Sequence, residues 1–284
     1  MYEPDPDALD DEALDDAPVR SEPPDPGHSP EAHRRARVEA LAQLSLALGL
    51  FVGARVGLER AGLFDVIASR APGWEILTHV FMQAAVALLV VAGLLRASRA
   101  GWSSIGLGRP AHPWRELGRG LGAVVAVYLL MIPLVLAAAL LIRGPGQDAM
   151  TRQKLGALRT FAAIPLAAML PVALVAGLYE EIFVRGFLHA RLARLFAGAG
   201  RPSPWARGGA VVLGSVLFGL AHVYQGPIGV VQTAVVGLVF GFLSAYWRTV
   251  WPAVVAHVAI DTFGLVASRW LVPAAQRMIL ERMQ

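Results

Sequence analysis

Two adjacent carboxylates, Glu180 and Glu181, are followed by Arg185 in the stretch from Leu178 to Phe187, which continues directly from the apolar run Phe161 to Gly177. A run that long and that apolar reads as a membrane span, where one ionised side chain costs at least ~2.5–3.5 kcal/mol on insertion scales. Two acids and a base at such a place need a reason. On a helix, Glu181 and Arg185 are four apart and share a face, so the arginine can neutralise that carboxylate and fix its rotamer. Glu180 lies about 100° round from Glu181 and is left for other work. The alternative is a buried ion pair beside an interfacial glutamate.

Downstream polar residues favour a site. His222 ends the run Phe218 to His222, and phenylalanine and histidine four apart share one helix face. His257 and Asp261 are likewise four apart in a later apolar stretch. His28 and His33 fall in the N-terminal tail, His112 in a loop, His79 near a span end and His189 on the polar side of an amphipathic segment. All five read as solvated or interfacial. Taken singly, His222 or His257 would be a hydrogen bond between helices; taken together, three spans offer polar groups of the kinds that bind metals or move protons.

The available chemistry can be bounded. The chain has no cysteine, so a thiol nucleophile, disulfides and Cys-ligated metals are absent. No intramembrane serine has an obvious base partner, and no His-Glu-x-x-His helix exists. A water nucleophile remains. Glu180 can take its proton as general base, with His222 sharing the hydrogen bond or ligating a metal. His257 and Asp261 are then placed to bind the same metal or to donate to the oxyanion formed on an attacked carbonyl. Glu180, His222 and His257 could hold Zn2+ or another divalent metal with an open position for water. No organic cofactor is expected.

These residues need helices to carry them. The 284-residue chain is 56% hydrophobic and 16% charged, with a mean hydropathy of +0.54, which describes an integral membrane protein. The basic balance does not mark a nucleic-acid surface, because the arginines fall mainly in loops between apolar runs. The expected fold is an all-α polytopic transmembrane bundle of about seven spans: Val38–Leu58, Ile76–Leu95, Leu121–Ile142, Phe161–Val184, Gly209–His222, Ile228–Trp247 and Trp251–Trp270. An interfacial amphipathic helix, Gly186 to Phe196, is expected after the fourth span. The chain divides into a disordered acidic, Pro-rich tail (1–33), N-terminal membrane helices (34–155), a catalytic membrane domain (156–272) and a short basic C-terminal tail (273–284). Gly237 and Gly241 are four apart and mark close helix packing.

Arg34, Arg35 and Arg37 place the N-terminus in the cytoplasm, and Arg96, Arg99, Arg109, Arg115 and Arg119 agree; Arg152, Lys154 and Arg159, in a loop expected outside, do not. Depth raises a second difficulty. Glu180 and His257 fall toward the cytoplasmic side, whereas His222 is thirteen residues, or roughly 20 Å of helix, beyond Gly209. Either the fifth span starts outside the hydrocarbon layer, or its boundaries are wrong by a turn or more.

The ordered triple Glu180-Glu181-x-x-x-Arg185, Phe218-x-x-x-His222 and His257-x-x-x-Asp261 resembles the three motifs of the CAAX protease and bacteriocin-processing (CPBP, or Abi) family of intramembrane proteases, over about Phe161 to Gly264. The resemblance implies a membrane helix bundle with a catalytic cavity open toward the cytoplasm, and hydrolysis of a peptide bond in a peptide or membrane-protein substrate. Carried over by position, Glu180 and His222 would activate the water, and His257 with Asp261 would stabilise the oxyanion, with Glu181, Arg185 and Phe218 in support. Family members with Asn at the last position are familiar. Asp261 departs from them, and a carboxylate donates to an oxyanion only if protonated or metal-bound, which favours a metal at that position. Some relatives cleave prenylated C-terminal Cys-a-a-X proteins and others act on bacteriocin-type peptides, so the substrate stays open, as does the oligomeric state. A non-catalytic immunity or scaffolding protein, or a proton-coupled transporter, would also keep intramembrane Glu, His and Asp.

Overall fold

The computed structural model describes residues 29–71, 73–141, 156 and 158–282. Its regular structure among the described residues is helical, and two of the helices begin at serine caps. Ser29 accepts from the Ala32 N–H at 3.1 Å, with Pro30 at the first helical position, and opens α1 (Pro30–Arg60). Glycines in the left-handed region, Gly62 and Gly73, then separate α1, the short α2 (Leu63–Arg70) and α3 (Trp74–Ala97). A 3-10 turn, Trp102–Ile105, leads to α4 (Pro113–Leu141). Next come α5 (Leu166–Glu181), a π-helical segment Ile182–Leu188 and α6 (His189–Ala197), without a break between them. Ser203 repeats the capping device of Ser29 and opens α7 (Pro204–Ala221), followed by α8 (Gly226–Trp247) and α9 (Trp251–Arg282).

Among the described residues, seven helices are long and apolar enough to cross a membrane. The protein is an integral, multi-pass membrane bundle. Side chains such as Leu89, Leu129 and Phe263 stay exposed on its outside, as lipid-facing residues do. The interior is filled where α3, the π segment, α6 and α7 meet, by Val91, Phe183, Phe187, Leu192 and Phe218.

Several expectations change. The segment after the fourth span is not a separate helix: α6 prolongs α5 through the π segment and packs between α1 and α7. His189 is buried there, its ring against the backbones of Gly214 and Gly241, where any side chain would collide with it. His33 lies in the first turn of α1, and its Nδ1 accepts from the Ala199 N–H at 3.2 Å. In place of a C-terminal tail from 273, α9 runs on to Arg282. The acidic tail up to residue 28, and Arg152 and Lys154 in the loop expected outside, lie outside the described residues.

The depth difficulty resolves through helix length. α7 starts at Pro204, five residues before the expected Gly209, level with the end of α6. Seventeen residues separate Glu180 from Ala197 and eighteen separate Pro204 from His222, so the two antiparallel arms measure about 26 and 27 Å at 1.5 Å per residue. Glu180 and His222 therefore arrive at one level. Gly177 brings α9 in beside them: a Cβ there would sit 2.7 Å from Val258 Cγ2 and 3.1 Å from the Val258 nitrogen, so only glycine allows this approach of the backbones.

Candidate active site

The two carboxylates, neighbours in sequence, face different surroundings. Glu181 has no exposed surface; Arg185 Nη1 donates to its Oε1 at 2.9 Å, and His257 Nδ1 meets the same oxygen at 2.6 Å across the interface with α9. The guanidinium is sandwiched by aromatic faces, 4.2 Å from the Phe218 ring centre and 5.5 Å from that of Phe240. An arginine so enclosed needs a charge partner, and Glu181 supplies it. The π segment that carries Arg185 is a widened turn of a kind frequent at functional sites.

Glu180 points the other way. Its Oε2 is without a hydrogen-bond partner in the structure and stands 3.9 Å from His222 Nε2 and 3.9 Å from His257 Nε2. Both rings are held from behind. His222 Nδ1 is 2.8 Å from the Phe218 carbonyl oxygen, which only an N–H can satisfy, so in the neutral ring Nε2 carries the lone pair. His257 Nδ1 is engaged by Glu181, and its Nε2 has the Asp261 carboxylate 3.4 Å away. Each nitrogen of His257 thus has a carboxylate oxygen beside it, Glu181 at Nδ1 and Asp261 at Nε2. Phe218 stacks edge-on against His222 at 4.7 Å and lies 6.3 Å from His257, which fixes the rings relative to each other.

Every candidate from the three motifs is thus in one cluster. Glu180, His222, His257 and Asp261 keep between 12% and 36% of their side-chain surface exposed, enough to admit water. A zinc ion holds N and O donors at about 2.0–2.2 Å, which puts tetrahedral ligands about 3.3–3.6 Å from one another. The donor types here suit zinc, the separations of 3.9 Å are ~0.3 Å longer than the widest such edge, and among the described residues no group of three or more His, Asp or Glu side chains is arranged to hold a metal ion. The spacing does suit a water molecule: an oxygen ~2.8 Å from each of two atoms 3.9 Å apart sees them at about 90°.

Residues 162–263 match the family model described as Type II CAAX prenyl endopeptidase Rce1-like. This segment belongs to the Rce1-like family, within CPBP. All three motifs fall inside it, and membership implies an intramembrane protease with a peptide substrate. No curated protein and no solved structure matches the chain.

Two contacts of the Rce1-like domain were not visible in its motifs. The hydrogen bond between Glu181 and His257 spans 76 residues of sequence, and nothing in either motif's spacing pairs them. Tyr179, buried beside Glu180, places its hydroxyl 3.1 Å from Glu180 Oε1. A tyrosine next to a carboxylate inside an apolar run was the available signal, since a buried phenol needs a partner. A separate cavity of about 560 Å³ lies beyond Arg185, lined also by His189, Arg191, Arg207, Ser244 and Arg248; Glu180, His222, His257 and Asp261 do not line it.

Proposed function

We propose that the chain is a membrane endopeptidase in which water held by Glu180 and His222 attacks a peptide carbonyl. The water gives one hydrogen bond to Glu180 Oε2 and one to the lone pair of His222 Nε2, which turns its own lone pair toward the substrate. As the C–O bond forms, Glu180 takes the proton. The carbonyl oxygen becomes an oxyanion beside His257, held cationic between Glu181 and Asp261, and shares with the Asp261 carboxylate the single hydrogen on Nε2. When the tetrahedral intermediate collapses, the C–N bond breaks and Glu180 returns the proton to the leaving amine. In this reading Asp261 acts through His257, so a carboxylate at that position is an asset and need not donate to the oxyanion itself.

The observation that carries this reading is Glu180 Oε2, unpartnered and 3.9 Å from two imidazole nitrogens. Family membership supports a peptide substrate, and a prenylated peptide ending in Cys-a-a-X is the first to try. The basic residues between Arg96 and Arg119 support a cytoplasmic N-terminus. The test uses the purified full chain in phosphatidylcholine vesicles with a farnesylated Cys-a-a-X peptide and its unprenylated counterpart, with products read by mass spectrometry. Glu180→Gln is expected to lower kcat by about 10²–10⁴-fold, the usual worth of a general base. Cleavage at the wild-type rate by Glu180→Gln overturns the mechanism.

A further inference from the structure

The hydrogen bonds of Glu180 lead out of the matched domain. Besides its approach to Glu180 Oε1, the Tyr179 hydroxyl is 2.9 Å from Gln83 Oε1 on α3, a helix outside residues 162–263. Gln83 is joined in turn to His79, one turn earlier on α3, through a contact between the amide nitrogen and His79 Nε2. The His79 ring is held by Phe64 of α2, with 4.5 Å between ring centres. Four polar groups from two helices thus make one chain: His79, Gln83, Tyr179, Glu180.

We infer that His79, Gln83 and Tyr179 are positioning residues for the catalytic carboxylate, contributed in part by the N-terminal half of the bundle. The inference rests on the mechanism proposed above for Glu180. Tyr179 has one hydrogen and can donate to only one of its two oxygen neighbours. When Glu180 is ionised, the carboxylate takes it, and the phenol oxygen is left to accept. A half-turn of the Gln83 amide then presents its NH2 to Tyr179 and its oxygen to a His79 N–H. All three groups now donate toward Oε1, each bond reinforcing the next in a low-dielectric setting. Oε1 is thereby occupied and the carboxylate's rotation is blocked. Oε2 alone faces the two imidazoles.

A hydrogen bond that merely joined α3 to α5 would not need to end on the carboxylate, nor on the oxygen opposite the one that faces the site. This chain does both. It also gives His79 a task, although its place in the sequence, near a span end, marks it as solvated.

The experiment measures kcat and KM of the full chain in vesicles for Tyr179→Phe, Gln83→Leu, the double variant and His79→Leu, with Glu180→Gln as control. Loss of an aligned donor to a charged base lowers kcat about 10- to 100-fold, with KM within about twofold of wild type. Because the residues act as one unit, the double variant is no slower than the worse single one. His79→Gln, which keeps a side-chain donor, retains more activity than His79→Leu. Tyr179→Phe removes one oxygen and keeps the ring, so its fold is preserved and its result stands alone if another variant fails to assemble. The inference is overturned if Tyr179→Phe keeps a wild-type kcat, or if the single losses multiply in the double variant, while Glu180→Gln is inactive. Activity in Glu180→Gln would overturn the underlying mechanism instead, so the two failures are told apart.

Discussion

Replacing Arg185 with methionine separates what holds the bundle together from what makes it catalyse. The ion pair between Arg185 and Glu181 has no exposed surface on either side. Removing only the arginine leaves the buried Glu181 carboxylate with His257 Nδ1 as its remaining partner, and breaking a buried pair from one side costs about 3–5 kcal/mol. Methionine fills much of the space over Phe218 and Phe240 and keeps contact with the rings, so most of the loss is the uncompensated charge. Adding Glu181→Gln removes that charge, and the double variant should recover to within about 1–2 kcal/mol of wild type. Activity should move the other way. In Arg185→Met, the Glu181 carboxylate still faces His257 Nδ1; in the double variant a neutral amide replaces it, and loss of such a supporting group costs about 10–100-fold in rate. The double variant is therefore more stable and less active than the single one. Reversible unfolding in mixed detergent and dodecyl sulfate micelles, beside kcat per folded molecule on the same peptide, measures both. A single variant within about 1 kcal/mol of wild type, or a double variant whose stability loss is the sum of its parts, refutes the reasoning.

Three further outcomes are expected. Gly177→Leu should push α9 away from α5, because its Cβ alone would meet Val258 at 2.7 Å, and a displacement near 1 Å at His257 costs about 100-fold in rate; Gly57→Ala, with nothing within 4 Å, should be silent in the same assay. Asp261→Asn keeps an oxygen that accepts from His257 Nε2 but loses the charge that favours the imidazolium, so kcat should fall by about tenfold and KM stay put; an unchanged kcat would mean that Asp261 does not act through the charge of His257. Prolonged dialysis of the purified chain against 1,10-phenanthroline should leave peptide cleavage intact, and elemental analysis of the active preparation should find no stoichiometric zinc; loss of activity restored by added Zn2+ would move the water from Glu180 and His222 onto a metal.

What could be read in advance was angular. Residues four apart share a helix face whatever the tertiary structure, so the pairs Glu181 and Arg185, Phe218 and His222, and His257 and Asp261 could each be formed on paper. Rotation and depth could not. α5 and α8 are apolar on nearly every side, so composition does not say which face turns inward; small residues at contacts decide it, as Gly177 does against Val258. Depth failed for a related reason. An apolar run shows where lipid can be tolerated, and a helix capped by Ser203 and Pro204 starts before the run does. His189 differs from its reading because a polar residue on a helix is read as facing water, yet it fits between two glycines.

The same angular fact explains why there are two adjacent glutamates. One carboxylate cannot both neutralise a buried arginine and act as a base, because a guanidinium at 2.9 Å already occupies the oxygen it would use. Neighbouring positions on a helix diverge by about 100°, so Glu181 faces Arg185 and the back of His257 while Glu180 faces Nε2 of the same ring. The imidazole of His257 is thereby gripped from behind by one glutamate and presented to the other. Moving either acid by one residue would rotate it out of reach of its partners. In the proposed mechanism the structural and the catalytic carboxylate are therefore consecutive, and an arrangement that looks redundant in the sequence follows from the helix geometry that carries it.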